Sequence, residues 1–276
     1  MKTVVITGAN TGIGFESAQA FLEEGHHVIL ACRNIQKAQQ AQQKLAQLGK
    51  GQVEFIELDL NRLNQVNQAA QLLLEKLTHI DVLVNNAGLM TPHLESTQEG
   101  FEKQMGVNYI AHFLWTIKLL PLVKQSSSGR IINLASMMHL LGKIDTDQFR
   151  ADQVKNYNGV RSYANSKLAN LLFSHVLASK LIGTKVTCNA LHPGGVDSEI
   201  YRELPKYQYR VIKFFLISPK KPAQLIKRIA LDPSWMNRSG DYVSLQTPAF
   251  QSLKAKDKQL ALTLYDTTLE LVKDYL

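Results

Sequence analysis

Cysteine is almost missing from this chain: its 276 residues include two, Cys32 and Cys188, far apart and each in an apolar run. That excludes a disulfide framework and a Cys-x-x-Cys redox pair, and it suits a reducing compartment. His and Cys never stand at zinc-ligand spacing, so no metal site is expected. No eighteen consecutive apolar residues occur, so no membrane span is expected. The first strand pattern begins by Thr3, which leaves no room in this sequence for a leader or an N-terminal anchor. The expected location is therefore the cytoplasm. Arginine-rich tracts interleaved with aromatics are also lacking. The formal charge of +8 is spread among acids, as in Lys254, Lys256, Asp257 and Lys258, the pattern of solvated helix faces rather than of a nucleic-acid binder.

Apolar residues make up 45% of the chain, enough for a substantial core in one domain spanning 1–276. Short apolar runs at 4–7, 28–31, 53–58, 82–85, 131–135, 186–191 and 242–245 read as strands. Helical patterns fall near 13–24, 35–48, 62–78, 97–124, 162–181, 222–231 and 254–274. Strands alternating with helices, and apolar throughout, predict an α/β fold: a three-layer, doubly wound (Rossmann-type) parallel sheet of about seven strands with helices on both faces. Right-handed crossovers put every strand's C-terminal end on one rim, where ligands bind at the switch in strand order.

The first such end reads "TGANTGIG", Thr7 to Gly14. Gly8 allows a sharp turn, while Gly12 and Gly14 remove side chains where a ligand nears the backbone and the helix packs on the strand. Amides at the helix start suit a diphosphate. The spacing G-x-x-x-G-x-G differs from the G-x-G-x-x-G of other dinucleotide folds. At the end of the second strand, where a carboxylate would hold a ribose 2′-hydroxyl, the chain has "LACRN" and no acid. Arg33, with Lys37 one turn on, can instead clamp a 2′-phosphate, which favours NADP(H) over NAD(H).

Four more features follow at strand ends or just beyond: Asp59 in "ELDL", "NNAG" at 85–88, Ser136 in "NLAS", and Tyr163 with Lys167 at i and i+4 in "SYANSK". A tyrosine titrates near pH ~10, too high for proton exchange at neutrality. An adjacent ammonium favours tyrosinate, and a drop of roughly three units corresponds to about 4 kcal/mol. Tyr163 then donates the proton in carbonyl reduction and accepts it in alcohol oxidation. Ser136 can hydrogen-bond the same oxygen as charge develops on it. Asp59 can also be read as a cap for the following helix, Cys188 as a small buried hydrophobe, and His139 and His192 as structural rather than as bases.

In this order the set resembles the short-chain dehydrogenase/reductase family over nearly the whole chain. "VILACRN", "NNAGLM", "SKLANLLF" and "LHPGGV" are similar to its retinol-dehydrogenase-like branch. The resemblance implies a catalytic set of Asn108, Ser136, Tyr163 and Lys167, with Asn108 holding a water that links Lys167 to solvent and Lys167 bonding the nicotinamide ribose. It implies phosphate contacts from Asn10, Thr11, Ile13 and Gly14, and adenine contacts from Asp59 and Leu60. Asn86, Ala87 and Gly88 then pass the adenosine-side ribose. Beyond the Pro193-Gly194 turn, Val196 and Ser198 hold the carboxamide and diphosphate. It further implies a substrate lid at about 196–221, where Phe214 and Phe215 lie in an apolar patch; closure over substrate, a membrane surface and a subunit contact are the three readings of that patch. Met90, Met137 and Met138 are expected to add apolar wall. The expected activity is NADP(H)-dependent interconversion of an aldehyde or ketone and its alcohol on a lipophilic small molecule. The rivals are a C=C reductase resembling protochlorophyllide reductase and an NADP(H)-binding sensor or scaffold without turnover. A homodimer through helices 97–124 and 162–181 is compatible with the pattern.

Overall fold

The computed structural model describes residues 1–196, 216–245 and 249–276. Seven parallel strands, β1 Thr3–Thr7, β2 His27–Cys32, β3 Gln52–Glu57, β4 Val82–Asn85, β5 Arg130–Leu134, β6 Thr187–His192 and β7 Tyr242–Ser244, form one sheet in the order β3-β2-β1-β4-β5-β6-β7. Register is set by in-line apolar pairs such as Val4↔Val28, Val4↔Val82, Val84↔Ile132 and Leu191↔Val243. The order reverses between β1 and β4, so a crevice opens outside their C-terminal ends.

Central strands are buried on both faces, which is why they read as unbroken apolar runs. Their alternate residues feed two cores. Val5, Ile29, Leu83 and Ile131 face α3 (Leu63–Lys76), α4 (Lys103–Gln125) and α5 (Gly159–Lys180). Val4, Ile6, Leu30, Val84 and Ile132 face α1 (Gly12–Leu22), α2 (Ile35–Ala46) and α6 (Lys220–Leu231). On the first face Phe113 lies 5.0 Å, between ring centroids, from both Phe173 and Tyr265, the latter on α7 (Lys258–Leu271). By length and composition α4 could cross a bilayer, yet most of it is buried here, and it is a core helix.

Three helix starts differ from the sequence reading by three residues or more, each for a local reason. α4 starts at Lys103 rather than near 97, because Gly100 turns the chain at φ +83° and the Glu102 carboxylate caps the amides of Gln104 and Met105. α5 starts earlier, at Gly159, because the Asn158 side chain accepts from the Arg161 amide. α7 begins only at Lys258, where Asp257 accepts from the Leu260 amide. Within α4 the stretch Gly106–Ile110 winds as a π-helix, and Asn108 lies in it. Such turns gather at functional sites.

Candidate active site

The crevice at the switch point is a cleft of about 560 Å³. Its floor is the loop after β1. Gly8 takes φ +66° and donates its amide to the Ala31 carbonyl at 2.8 Å. A Cβ on Gly14 would lie 2.5 Å from the Gly8 carbonyl oxygen and 2.6 Å from Asn86 Nδ2. Gly14 therefore lets α1 close on the loop and stands behind the cleft rather than in its wall. Thr11 makes no side-chain cap, and among the described residues no side chain accepts from the first amides of α1.

Thr7 locks this loop to "NNAG". Its Oγ1 accepts from the amides of Asn86 and Ala87, both at 2.9 Å, while Asn86 Nδ2 donates to the Thr7 carbonyl at 2.8 Å. With both lone pairs engaged, the Thr7 hydroxyl must donate its proton to His112 Nε2 at 2.9 Å. His112 is thus neutral, with its proton on Nδ1 directed to the Asn108 carbonyl at 3.2 Å. Burial pushes its pKa down to about 4. Cys32 sits under the same loop. The Ala9 and Asn10 amides lean on its sulfur, and burial outweighs them, raising the thiol to about 11. Sequence gives Thr7 and His112 no role and Cys32 only its apolar setting, because nothing local distinguishes them from ordinary core residues.

At one end of the cleft Arg33 and Lys37 are exposed in its wall, with Asn34 between them capping α2 through the Lys37 amide at 2.8 Å. Asp59 and Leu60 line the same end. Asp59 does not cap α3. Its Oδ1 accepts from the Asn61 amide two residues on, and the first α3 amide, Leu63, donates to Glu99 at 2.7 Å. Among the described wall residues Asp59 is the only acid.

At the other end stand Gly88, Ser136, Tyr163 and Lys167. Tyr163 and Lys167 are one turn apart on α5, with the Lys167 ammonium 5.5 Å from the phenol ring centroid. Lys167 is buried and donates to the Leu134 carbonyl at 2.9 Å. Desolvation brings its pKa from 10.5 down to about 8, so at neutral pH it remains mostly an ammonium. Ser136 lies two residues beyond β5 and caps a 3-10 turn, Met137–Leu141. Its Oγ accepts from the Met138 amide at 3.2 Å and still has its own proton to donate. A Cβ on Gly88 would stand 3.5 Å from the Lys167 ammonium, an ordinary contact distance, so residue 88 borders that charge from the cleft side.

Asn108 stands behind the cleft wall near Lys167: a Cβ on Gly88 would lie 3.4 Å from Asn108 Oδ1 and 3.5 Å from the Lys167 ammonium. Asn108 is fully buried behind Leu89, accepting from the Leu89 amide at 2.8 Å and donating to the Leu89 carbonyl at 2.9 Å and to Ser166 at 3.0 Å. Its side chain ties "NNAG" to α4 and α5 and does not reach the cleft. Met90 and Met138 do line the cleft. Met137 does not. It is 49% exposed outside, because a 3-10 turn sends consecutive side chains in different directions. Val160 and Val107 complete the apolar wall without having been expected. Asn10, Thr11, Gly12, Ile13, Ala87, Pro193, Gly194 and Val196 also line it. Ser198, Phe214 and Phe215, and with them most of the expected lid, lie outside the described residues. The ends of that stretch meet, Val196 pairing with Ile217.

A nicotinamide dinucleotide fits what is present: an open amide cradle, cations with one acid at one end, and a phenol, a hydroxyl and an ammonium at the other. Known proteins agree. A profile of the short chain dehydrogenase family matches residues 2–208. Human retinol dehydrogenase 11 is 36% identical over 98% of this chain and 86% of its own length, and mouse retinol dehydrogenase 12 is 38% identical over the same shares. A crystal structure of an uncharacterized protein from Mycobacterium paratuberculosis superposes with TM-score 0.80 at 30% identity, covering 99% of this chain and 94% of that one. The RhlG/NADP active-site complex from Pseudomonas aeruginosa gives 0.71 at 24% identity, over 89% and 94%, a likeness of fold. The chain belongs to the short-chain dehydrogenase/reductase family, in its retinol-dehydrogenase-like branch, and is an oxidoreductase that works with a nicotinamide cofactor.

Proposed function

We propose that this enzyme interconverts an aldehyde or ketone and its alcohol on a lipophilic small molecule, with NADP(H) as the preferred cofactor and Tyr163 as the general acid and base. The observation that carries the reading is the buried Lys167 ammonium beneath the Tyr163 ring, in the same wall as Ser136. When bound, the nicotinamide supplies or takes up the hydride. The chain's own residues do the rest. The Lys167 charge favours tyrosinate, bringing the phenol toward a pKa useful near neutrality. In reduction Tyr163 delivers its proton to the substrate oxygen, and in oxidation it removes it. The Ser136 hydroxyl donates to that oxygen as negative charge grows there. Met90, Met138, Val107 and Val160 give the cleft an apolar wall suited to a lipophilic substrate.

The preference for NADP(H) rests on Arg33 and Lys37 standing in the wall where a carboxylate would repel a 2′-phosphate. The test is NADPH against NADH consumption across a panel of lipophilic aldehydes and ketones. Faster turnover with NADPH, rising with substrate apolarity, is expected. Equal use of both cofactors would remove the clamp, and no carbonyl turnover with either would remove the activity.

A further inference from the structure

The C-terminal part of the chain reaches the reactive serine through His139. The Ser136 carbonyl accepts two hydrogen bonds from this one residue, from its amide at 3.0 Å and its Nδ1 at 2.7 Å. On the other side of the ring, Nε2 faces the Ser252 amide at 3.4 Å. A carbonyl can only accept and a backbone amide can only donate, so Nδ1 must carry the proton and Nε2 must be bare. The imidazole is fully buried, with the Tyr242 ring edge-on at 5.1 Å and 75°. Two further ties join the same segment to its surroundings: Lys254 Nζ to the Gly142 carbonyl at 3.1 Å, and His175 Nδ1 with the Ala255 carbonyl at 3.0 Å. On its opposite side the turn presses on α5, where a Cβ on Gly142 would lie 2.7 Å from the Ala164 carbonyl oxygen and 2.8 Å from Leu168 Cβ. The Ser136 turn is therefore held between the helix that bears Tyr163 and Lys167 and the segment around Ser252.

We propose that His139 is a positioning residue: its neutral imidazole tethers the Ser136 carbonyl to the Ser252 backbone, so that the segment around Ser252 sets where the serine hydroxyl stands against the Tyr163 phenol. The inference rests on the carbonyl-reducing role given to Ser136 above. A serine hydroxyl has one rotatable bond, so its reach is fixed by the backbone beneath it. A displacement on the order of 1 Å can lower turnover by as much as a hundredfold.

His139→Phe keeps the ring and its packing on Tyr242 but deletes both bonds. His139→Asn restores a donor toward the Ser136 carbonyl with a smaller side chain. The tether predicts that Phe lowers kcat by on the order of tenfold or more while NADPH Kd stays unchanged, and that Asn recovers most of the loss. A space-filling role predicts the reverse order, and Phe matching wild type or outperforming Asn overturns the proposal. Should the Phe variant fail to fold, Ser252→Pro against Ser252→Ala decides. Both lose the hydroxyl and only proline loses the amide proton, so proline alone should lower kcat, and equal values overturn the tether. Nitrogen NMR of histidine-labelled protein reads the tautomer without turnover. A proton on Nδ1 of His139 is expected and a proton on Nε2 overturns the tether, even if wild type reduces no carbonyl and the proposed activity fails.

Discussion

Lys167→Met removes the one charge on which the proposed chemistry turns, and its effect on folding can be worked from the burial of the ammonium. In the folded chain Lys167 has a pKa of about 8, against 10.5 when exposed. Between those values the unfolded chain holds more protons than the folded one, so stability rises with pH through this window. Below pH 8 the folded protein carries the full cost of a desolvated ammonium, about 3 kcal/mol by linkage. By pH 9.5 more than half of that cost has gone, so wild type should gain about 2 kcal/mol relative to the methionine variant between pH 7 and 9.5. The lost hydrogen bond to Leu134 shifts the difference by a constant, because neither the carbonyl nor Asn170, its second donor at 3.4 Å, titrates in this range. Titrating groups away from Lys167 are common to both proteins and cancel, and acidification of Tyr163 by the ammonium, present only in wild type, leaves the unfolded chain holding still more protons and adds to the gain. The assay is urea denaturation of the cofactor-free proteins at several pH values. Parallel stability curves for the two would refute the buried ammonium, and with it the means of acidifying Tyr163.

Two further substitutions test the Arg33 end of the cleft and the support beneath its floor. Arg33→Ala should weaken NADPH binding about tenfold or more and NADH little, measured as Kd by fluorescence titration; equal weakening of both would remove Arg33 from phosphate recognition. Thr7→Val keeps shape but strips the acceptor from the Ala87 amide and the donor from the buried His112, leaving both unpaired, and leaves the Asn86 amide only the Val84 carbonyl at 3.1 Å. It should cost about 3 kcal/mol in urea denaturation and weaken NADPH, and a loss below about 0.5 kcal/mol would show that other partners take over those groups.

The sheet could be read from sequence because strands buried on both faces leave unbroken apolar runs, and because Gly8 and Gly12 mark a backbone shape that few other residues allow while Gly14 marks a close approach that a Cβ would block. Tyr163, Lys167 and Ser136 were legible for a related reason: reactive groups must stand at strand ends or on one helix face. What could not be read depends on contacts between distant segments. The Asn108 side chain binds Leu89 because a π turn in α4 carries it there, and no local pattern announces that turn. Asp59 lost the role of a cap to Glu99, 40 residues on and brought to α3 by the turn at Gly100. Met138 lines the cleft and Met137 does not, a distinction set by the pitch of a 3-10 turn rather than by residue type. His139 read from sequence as structural, and its bonds to Ser136 and Ser252 appear only once the C-terminal segment has folded back.

The most direct measurement of the central claim is single-turnover reduction of a lipophilic aldehyde by Tyr163→Phe with saturating NADPH. Loss of the phenol proton should lower the rate at least a hundredfold while the Kd for NADPH stays as in wild type. A rate near that of the unaltered enzyme would contradict the account.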